Sequence, residues 1–231
     1  QEKWQYALNL AERKEEVIRL IDEQGKLTKE LKAEIEQAKQ LQRVEDLYRP
    51  YKQKRRTRAT VAKEKGLEPL AQLVWKQQIQ SISSEAKAYL SEENELHTVE
   101  DVLTGVNDIV AEWISDDPSY RDYIRNKTFK LGSILTEVKK KDKDEKGVYE
   151  MYYEYQEPVR SIVSHRVLAV NRGEKEGIIK VAVNPPIDDI LSYLENKIVV
   201  SSSSEEVKDL LKQAIEDSYK RLIQPSVERE I

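Results

Sequence analysis

Apolar residues recur every three or four positions along most of this chain, and that period restricts it to helices packed side to side. The first run is Trp4, Leu8, Ala11, Ile18 and Ile21, one face of a helix over Gln1–Asp22. Gly25 breaks it, and Thr28 is placed to cap a second helix over Thr28–Leu47. The stripe of that helix is Leu31, Ile35, Ala38, Leu41, Val44 and Leu47. Two stripes with a short break predict an antiparallel helical hairpin over 1–48. Leu31 and Ile35 are expected in its core, and Lys32 and Glu36 outside.

Composition supports helices. Seven glycines among 231 residues is few, where an average chain would hold roughly twice that. Charged residues reach 35%, which favours long solvated helix faces over a thick core. No cysteine is present, which excludes disulfides, thiolate metal sites and a cysteine nucleophile, and points to a reducing cytoplasm. No apolar run approaches the ~18 residues that span a bilayer. The start at Gln1 and the uncapped helical pattern "PSVEREI" at the end lead us to expect a piece of a longer protein.

Pro50 ends the second helix near Arg49, because the residue before proline avoids the α region. A loop over 49–57 follows, then a short helix from about Arg58 to Lys65, with Gly66 at its C-cap. "LEPLAQLVWKQQ" starts the next helix with Pro69 in its first turn, so this segment is compatible with a helix-turn-helix-like unit. Ser83 or Ser84 is expected to cap a helix through Leu90. Thr98 and Asp101 form a capping box ahead of the stripe Val102, Val106, Ile109, Val110 and Trp113. Pro118 opens another helix, and "SILTEVKKKDKDEKG" reads as an extended stretch running into a charged loop.

"VYEMYYEYQEP" fits neither period. Ser164 is expected to cap a helix that ends near Gly173. "IIKVAV", residues 178–183, is the best strand: continuous, β-branched and followed by Pro185 and Pro186. A helix over about Ile187–Asn196 follows. The serine run before Glu205 caps the closing helix.

Enzymatic signatures are absent. His97 and His165 have no ligand partner at three or four residues, no G-x-S-x-G occurs, and no glycine loop can cradle a phosphate. The expectation is a chain with no catalytic residue, no cofactor and no metal site. The tyrosines of 149–155 can stack on bases, though packing against the strand is the commoner use.

One feature stands apart from the helical scaffold. From Arg49 to Lys65 the chain carries eight Lys or Arg and one Glu, a local +7 in a protein of net charge −4. The other residues therefore carry −11, and the cations are concentrated, not spread as a coat. Lys52, Lys54, Arg55, Arg56 and Arg58 are the candidate phosphate contacts, because each contact releases counterions and strengthens binding. Tyr48 and Tyr51 stand at the front edge for stacking. The competing reading is a strap: arginine forks pair bidentately with carboxylates and tie helix faces together.

"VEDLYRPYKQKRRTRATVAKEKGLEPLA", 44–71, closely resembles the signature near the front of the bacterial Tex proteins, transcription accessory factors. "YYEYQEPVRSIVSHRVLAVNRGEKEG", 152–177, and "YKRLIQPSVEREI", 219–231, agree with it, and the likeness is weakest over 75–145. The resemblance implies a cytoplasmic, nucleic-acid-binding protein that is mostly helical here. It also implies later ribonuclease-H-like, helix-hairpin-helix and S1 RNA-binding domains, none visible in this sequence.

The expectation is thus a mainly α helical scaffold with a small β element near 178–183. It divides into a hairpin over 1–48, a basic and helix-turn-helix-like segment over 49–75, and a helical region over 76–231. Together these form one N-terminal module of a non-catalytic transcription accessory factor. Its partners would be RNA or single-stranded DNA, held weakly and without sequence preference, later domains of the same chain and the transcription machinery, with no membrane. The alternative is a protein–protein docking module with no nucleic-acid affinity of its own.

Overall fold

A computed structural model describes all residues from Gln1 to Ile231. The helices are α1 Glu2–Glu23, α2 Lys29–Gln37, α3 Leu41–Tyr48, α4 Arg58–Glu64, α5 Glu68–Lys76, α6 Ile82–Ala86, α7 Val99–Asp116, α8 Pro118–Leu131, α9 Ser164–Lys175, α10 Ile187–Ile198, α11 Glu205–Asp217 and α12 Gln224–Glu230. Three strands join them: β1 Ser133–Val138, β2 Glu154–Pro158 and β3 Ile179–Asn184. The fold is mainly α with a small sheet, as the periodicity requires. No helix is long and apolar enough to cross a membrane.

The chain forms two compact units, one of residues Gln1–Asp122 with Ile198–Tyr219 and one of Tyr123–Lys197 with Lys220–Ile231. In the first, α7 is the central element. Its capping box is formed by Thr98 and Asp101, and Val102, Val106, Ile109, Val110 and Ile114 are fully buried on it. Helices α4, α5 and α11 pack on it. Gly105 faces these neighbours closely: a Cβ there would stand 2.3 Å from Leu67 Cδ1. Gly66 takes φ +81° after α4, a left-handed cap that glycine adopts without steric cost.

The expected second helix is two helices, α2 and α3, separated at Ala38–Gln40. No glycine or proline lies between 28 and 47, so the break has a tertiary cause. Ile35 and Val44 are nine residues apart, and at about 100° per residue a continuous helix sets them on opposite sides. With Ala38 extended (ψ 131°), both are fully buried in one cluster with Val17 and Ile21. Helix α1 supplies the partners for the exposed backbone: Tyr6 Oη accepts from Leu41 N–H at 2.9 Å, and Lys14 Nζ donates to Glu36 O at 2.8 Å. Leu31 is only half-buried, while Lys32 and Glu36 are exposed as expected. The front half of the α1 stripe also departs from expectation. Trp4 is 70% exposed and Leu8 38%, because the packed cluster on α1 involves Leu10 and residues beyond it.

The second unit contains an antiparallel sheet of order β2-β1-β3, with Thr136 opposite both Tyr155 and Val181. The unassigned "VYEMYYEYQEP" becomes a 3₁₀ turn at Glu150–Tyr152 followed by β2. Tyr149 and Tyr152 are buried with Val170, Ile178 and Ile179, so those rings serve the core. Asp144 is buried too, accepting from the Val148 and Tyr149 N–H groups and from Tyr153 Oη. That bond holds the Tyr153 phenol up at about 12.

Two cap assignments change. Ser81, not Ser83 or Ser84, caps α6, which gives way to a 3₁₀ turn at Lys87–Tyr89. Ser164 is the first residue of α9 and makes no cap bond, while Gly173 lies near the end of that helix, as expected. A Cβ at Gly173 would stand 2.9 Å from the Ile179 side chain, so packing of α9 on β3 explains the glycine. The closing helix is α11, capped by Ser204, and a wide π turn at Ser218–Ile223 leads into α12.

Candidate nucleic-acid interface

The basic segment leaves α3 through a 3₁₀ turn, Arg49–Tyr51, in which Pro50 supplies a pre-set φ. Gln24 Nε2 holds the Tyr51 carbonyl at 2.7 Å. Farther along, Thr57 caps α4 by accepting from Thr60 N–H at 3.1 Å, and its hydroxyl donates to Glu112 Oε2 at 2.9 Å. Between these anchors the chain from Lys52 to Arg56 is exposed.

The five candidate cations divide. Lys54 turns onto α7, where Nζ lies 3.1 Å from Glu112 Oε1 and also pairs with Asp116. Glu112 and Asp116 are four residues apart on one face of α7, so one ammonium reaches both. Burial pushes the Asp116 carboxyl up, and Lys54 opposes that shift. Arg56 pairs with Glu64 at 3.3 Å, but both side chains are more than half exposed, so the pair is weak. Lys52, Arg55 and Arg58 are exposed and form no ion pair. Arg49 also turns inward, with Nε buried and without a hydrogen-bond partner. Strap and open edge therefore coexist: Lys54 ties the segment to α7, and Lys52, Arg55 and Arg58 are left facing water.

Beside this edge is a cleft of about 500 Å³ whose lining includes Lys52, Lys54 and Lys63 as well as Glu112, Asp116 and Asp117. Glu112 and Thr57 escaped the sequence reading. The i, i+4 carboxylate pair was legible on α7, but nothing local says which lysine meets it.

No three His, Asp or Glu side chains converge to hold an ion. His97 and His165 are both exposed, and the His97 N–H donates to Asp101 as part of the α7 start.

Comparison with known proteins gives a consistent set. Residues 77–231 match the family described as Tex central region-like. The chain is 58% identical over 232 residues to protein YdcI of Bacillus subtilis, covering 100% of this chain and 32% of that protein. It is 39% identical over 188 residues to the transcriptional accessory protein Tex of Neisseria gonorrhoeae, covering 81% of this chain and 25% of that one. It is 30% identical over 234 residues to the human S1 RNA-binding domain-containing protein 1, covering 96% and 23%. The chain spans about a third or less of the length of these relatives.

Proposed function

Because this chain belongs to the Tex family, we propose that it is a non-catalytic helical scaffold of a cytoplasmic transcription accessory factor, and that its basic edge holds RNA or single-stranded DNA. The carrying observation is the exposed, unpaired state of Lys52, Arg55 and Arg58 on a segment anchored through Lys54 and Thr57. Anchoring lowers the ordering cost of binding, because the backbone that presents the cations is already held. The names of two relatives, a transcriptional accessory protein and an S1 RNA-binding domain protein, support the reading.

Three free cations and the loosely held Arg56 can meet about three to four phosphates, so log affinity falls with log salt at a slope of about −2 to −3 for a single strand. Base edges are not addressed by this arrangement, so no sequence preference is expected. The acidic remainder opposes the strand and keeps affinity at micromolar or weaker.

The test is titration of a fluorescent oligonucleotide with wild type and with an Arg55→Ala/Arg56→Ala/Arg58→Ala variant at two salt concentrations. A folded variant that loses affinity and salt dependence supports the reading. Equal binding by both proteins removes the arginines from it. A protein-docking role then takes precedence, favoured by the exposed Trp4 and Leu8 on α1.

A further inference from the structure

A second cationic site lies in the other unit, on residues that the basic segment does not involve. Helices α8 and α10 carry the same five-residue pattern, "YIRNK" at 123–127 and "YLENK" at 193–197. In each, tyrosine and lysine are four residues apart and so share a helix face. The fold brings the two copies together. The Tyr123 and Tyr193 rings are stacked, with centroids 3.5 Å apart and planes within 8°. Lys127 Nζ stands over the Tyr123 ring and Lys197 Nζ over the Tyr193 ring, each 5.9 Å from the centroid. Around them is a cleft of about 470 Å³, also lined by Asp189, Ser192 and Asn196.

Neither lysine forms an ion pair. At 5.9 Å the cation–π contact is near its outer limit of about 6 Å, so it orients the ammonium without removing it from water. Each ring is stacked on the other and also has a lysine ammonium near it. What the cleft offers is two positioned ammonium groups, a hydroxyl and a carboxamide, against the single carboxylate of Asp189. That set suits an extended chain of phosphates.

We propose that the paired Tyr-x-x-x-Lys turns of α8 and α10 form a second phosphodiester-binding surface, which engages the backbone of a single strand through Lys127 and Lys197. The tyrosine stack fixes the two turns against each other and so sets the separation of the charges. The ligand class rests on the nucleic-acid reading above, but the residues are separate. Ser192 and Asn196, one turn apart on α10, donate to phosphate oxygens between the two lysines.

The experiment measures binding of a fluorescent oligouridylate to the chain over a range of salt, with uridine monophosphate as competitor. Wild type, Lys127→Gln/Lys197→Gln, Asp189→Asn and the triple arginine variant are compared, each checked by its melting midpoint. With two phosphate contacts removed, the salt slope of the double lysine variant falls by about 1.4. Asp189→Asn binds more tightly than wild type, a gain that a purely structural aspartate would not produce. The monophosphate competes poorly, because it cannot engage both lysines. If the double lysine variant keeps the wild-type slope while the arginine variant loses it, the cleft is overturned and the basic edge stands. If the lysine variant loses slope and the arginine variant does not, the cleft stands alone. Effective competition by the monophosphate makes this a nucleotide pocket and overturns the strand proposal. Absence of strand binding by wild type overturns both.

Discussion

Lys54 Nζ lies 3.1 Å from Glu112 Oε1, and Asp116 contacts it from the same face of α7. One of the five cations proposed to face a ligand is therefore already neutralised by the protein. The Lys54 side chain is 25% exposed and both carboxylates 15%, between the surface and buried regimes. We expect Lys54→Met to lower stability by about 1–3 kcal/mol, since it leaves two half-buried carboxylates uncompensated. Urea unfolding measures this. The salt slope of oligonucleotide binding should stay at the wild-type value, and a slope reduced as far as in the triple arginine variant would place Lys54 in the interface.

Acid sensitivity should trace in part to Glu206. Its carboxylate accepts from the Ile82 N–H at 2.6 Å and from Ser83 Oγ at 3.1 Å, and the Ile82 bond in particular holds it below its ordinary value of 4.5. A lowered folded value means the unfolded chain binds the proton first. The stabilisation is therefore complete above 4.5 and disappears as pH falls through the lower folded value. Melting curves of wild type and Glu206→Gln should differ at neutral pH and converge in strong acid. A difference that grows on acidification would reverse the sign and refute the assignment.

The broken second helix gives an ordering. Ile35 is fully buried and Leu31 half-buried, so Ile35→Ala should cost about 2–5 kcal/mol and Leu31→Ala clearly less. Chemical denaturation of the two variants decides it. Equal losses would mean that α2 packs as part of one continuous helix.

Gly105 sits where α7 meets the α4–α5 corner. A Cβ there would stand 2.3 Å from Leu67 Cδ1, and Leu67 is fully buried. Gly105→Val should destabilise by about 2–3 kcal/mol despite the usual helix penalty of glycine. A variant as stable as wild type would show that Leu67 repacks without strain.

Most of the elements were legible; β2 and the division of α2 from α3 were not. Amphipathic period, the Thr98–Asp101 box, the Gly66 cap, the Pro118 start and the β-branched run before Pro185 all act through backbone geometry within a few residues, so they can be read without knowing the fold. The concentration of cations at 49–65 is likewise a property of sequence alone. What only the tertiary structure decided is which groups meet. The split at Ala38 follows from placing Ile35 and Val44 in one core, which no local propensity encodes. Lys54 and Arg55 are neighbours in sequence with the same charge, yet one is clamped by Glu112, 58 residues away, and the other faces water. The stacking of Tyr123 on Tyr193 unites two turns that are 70 residues apart in the sequence. Local patterns determine which face a residue takes on its own helix; its partner depends on how distant helices pack, and that is settled by burial of the whole core.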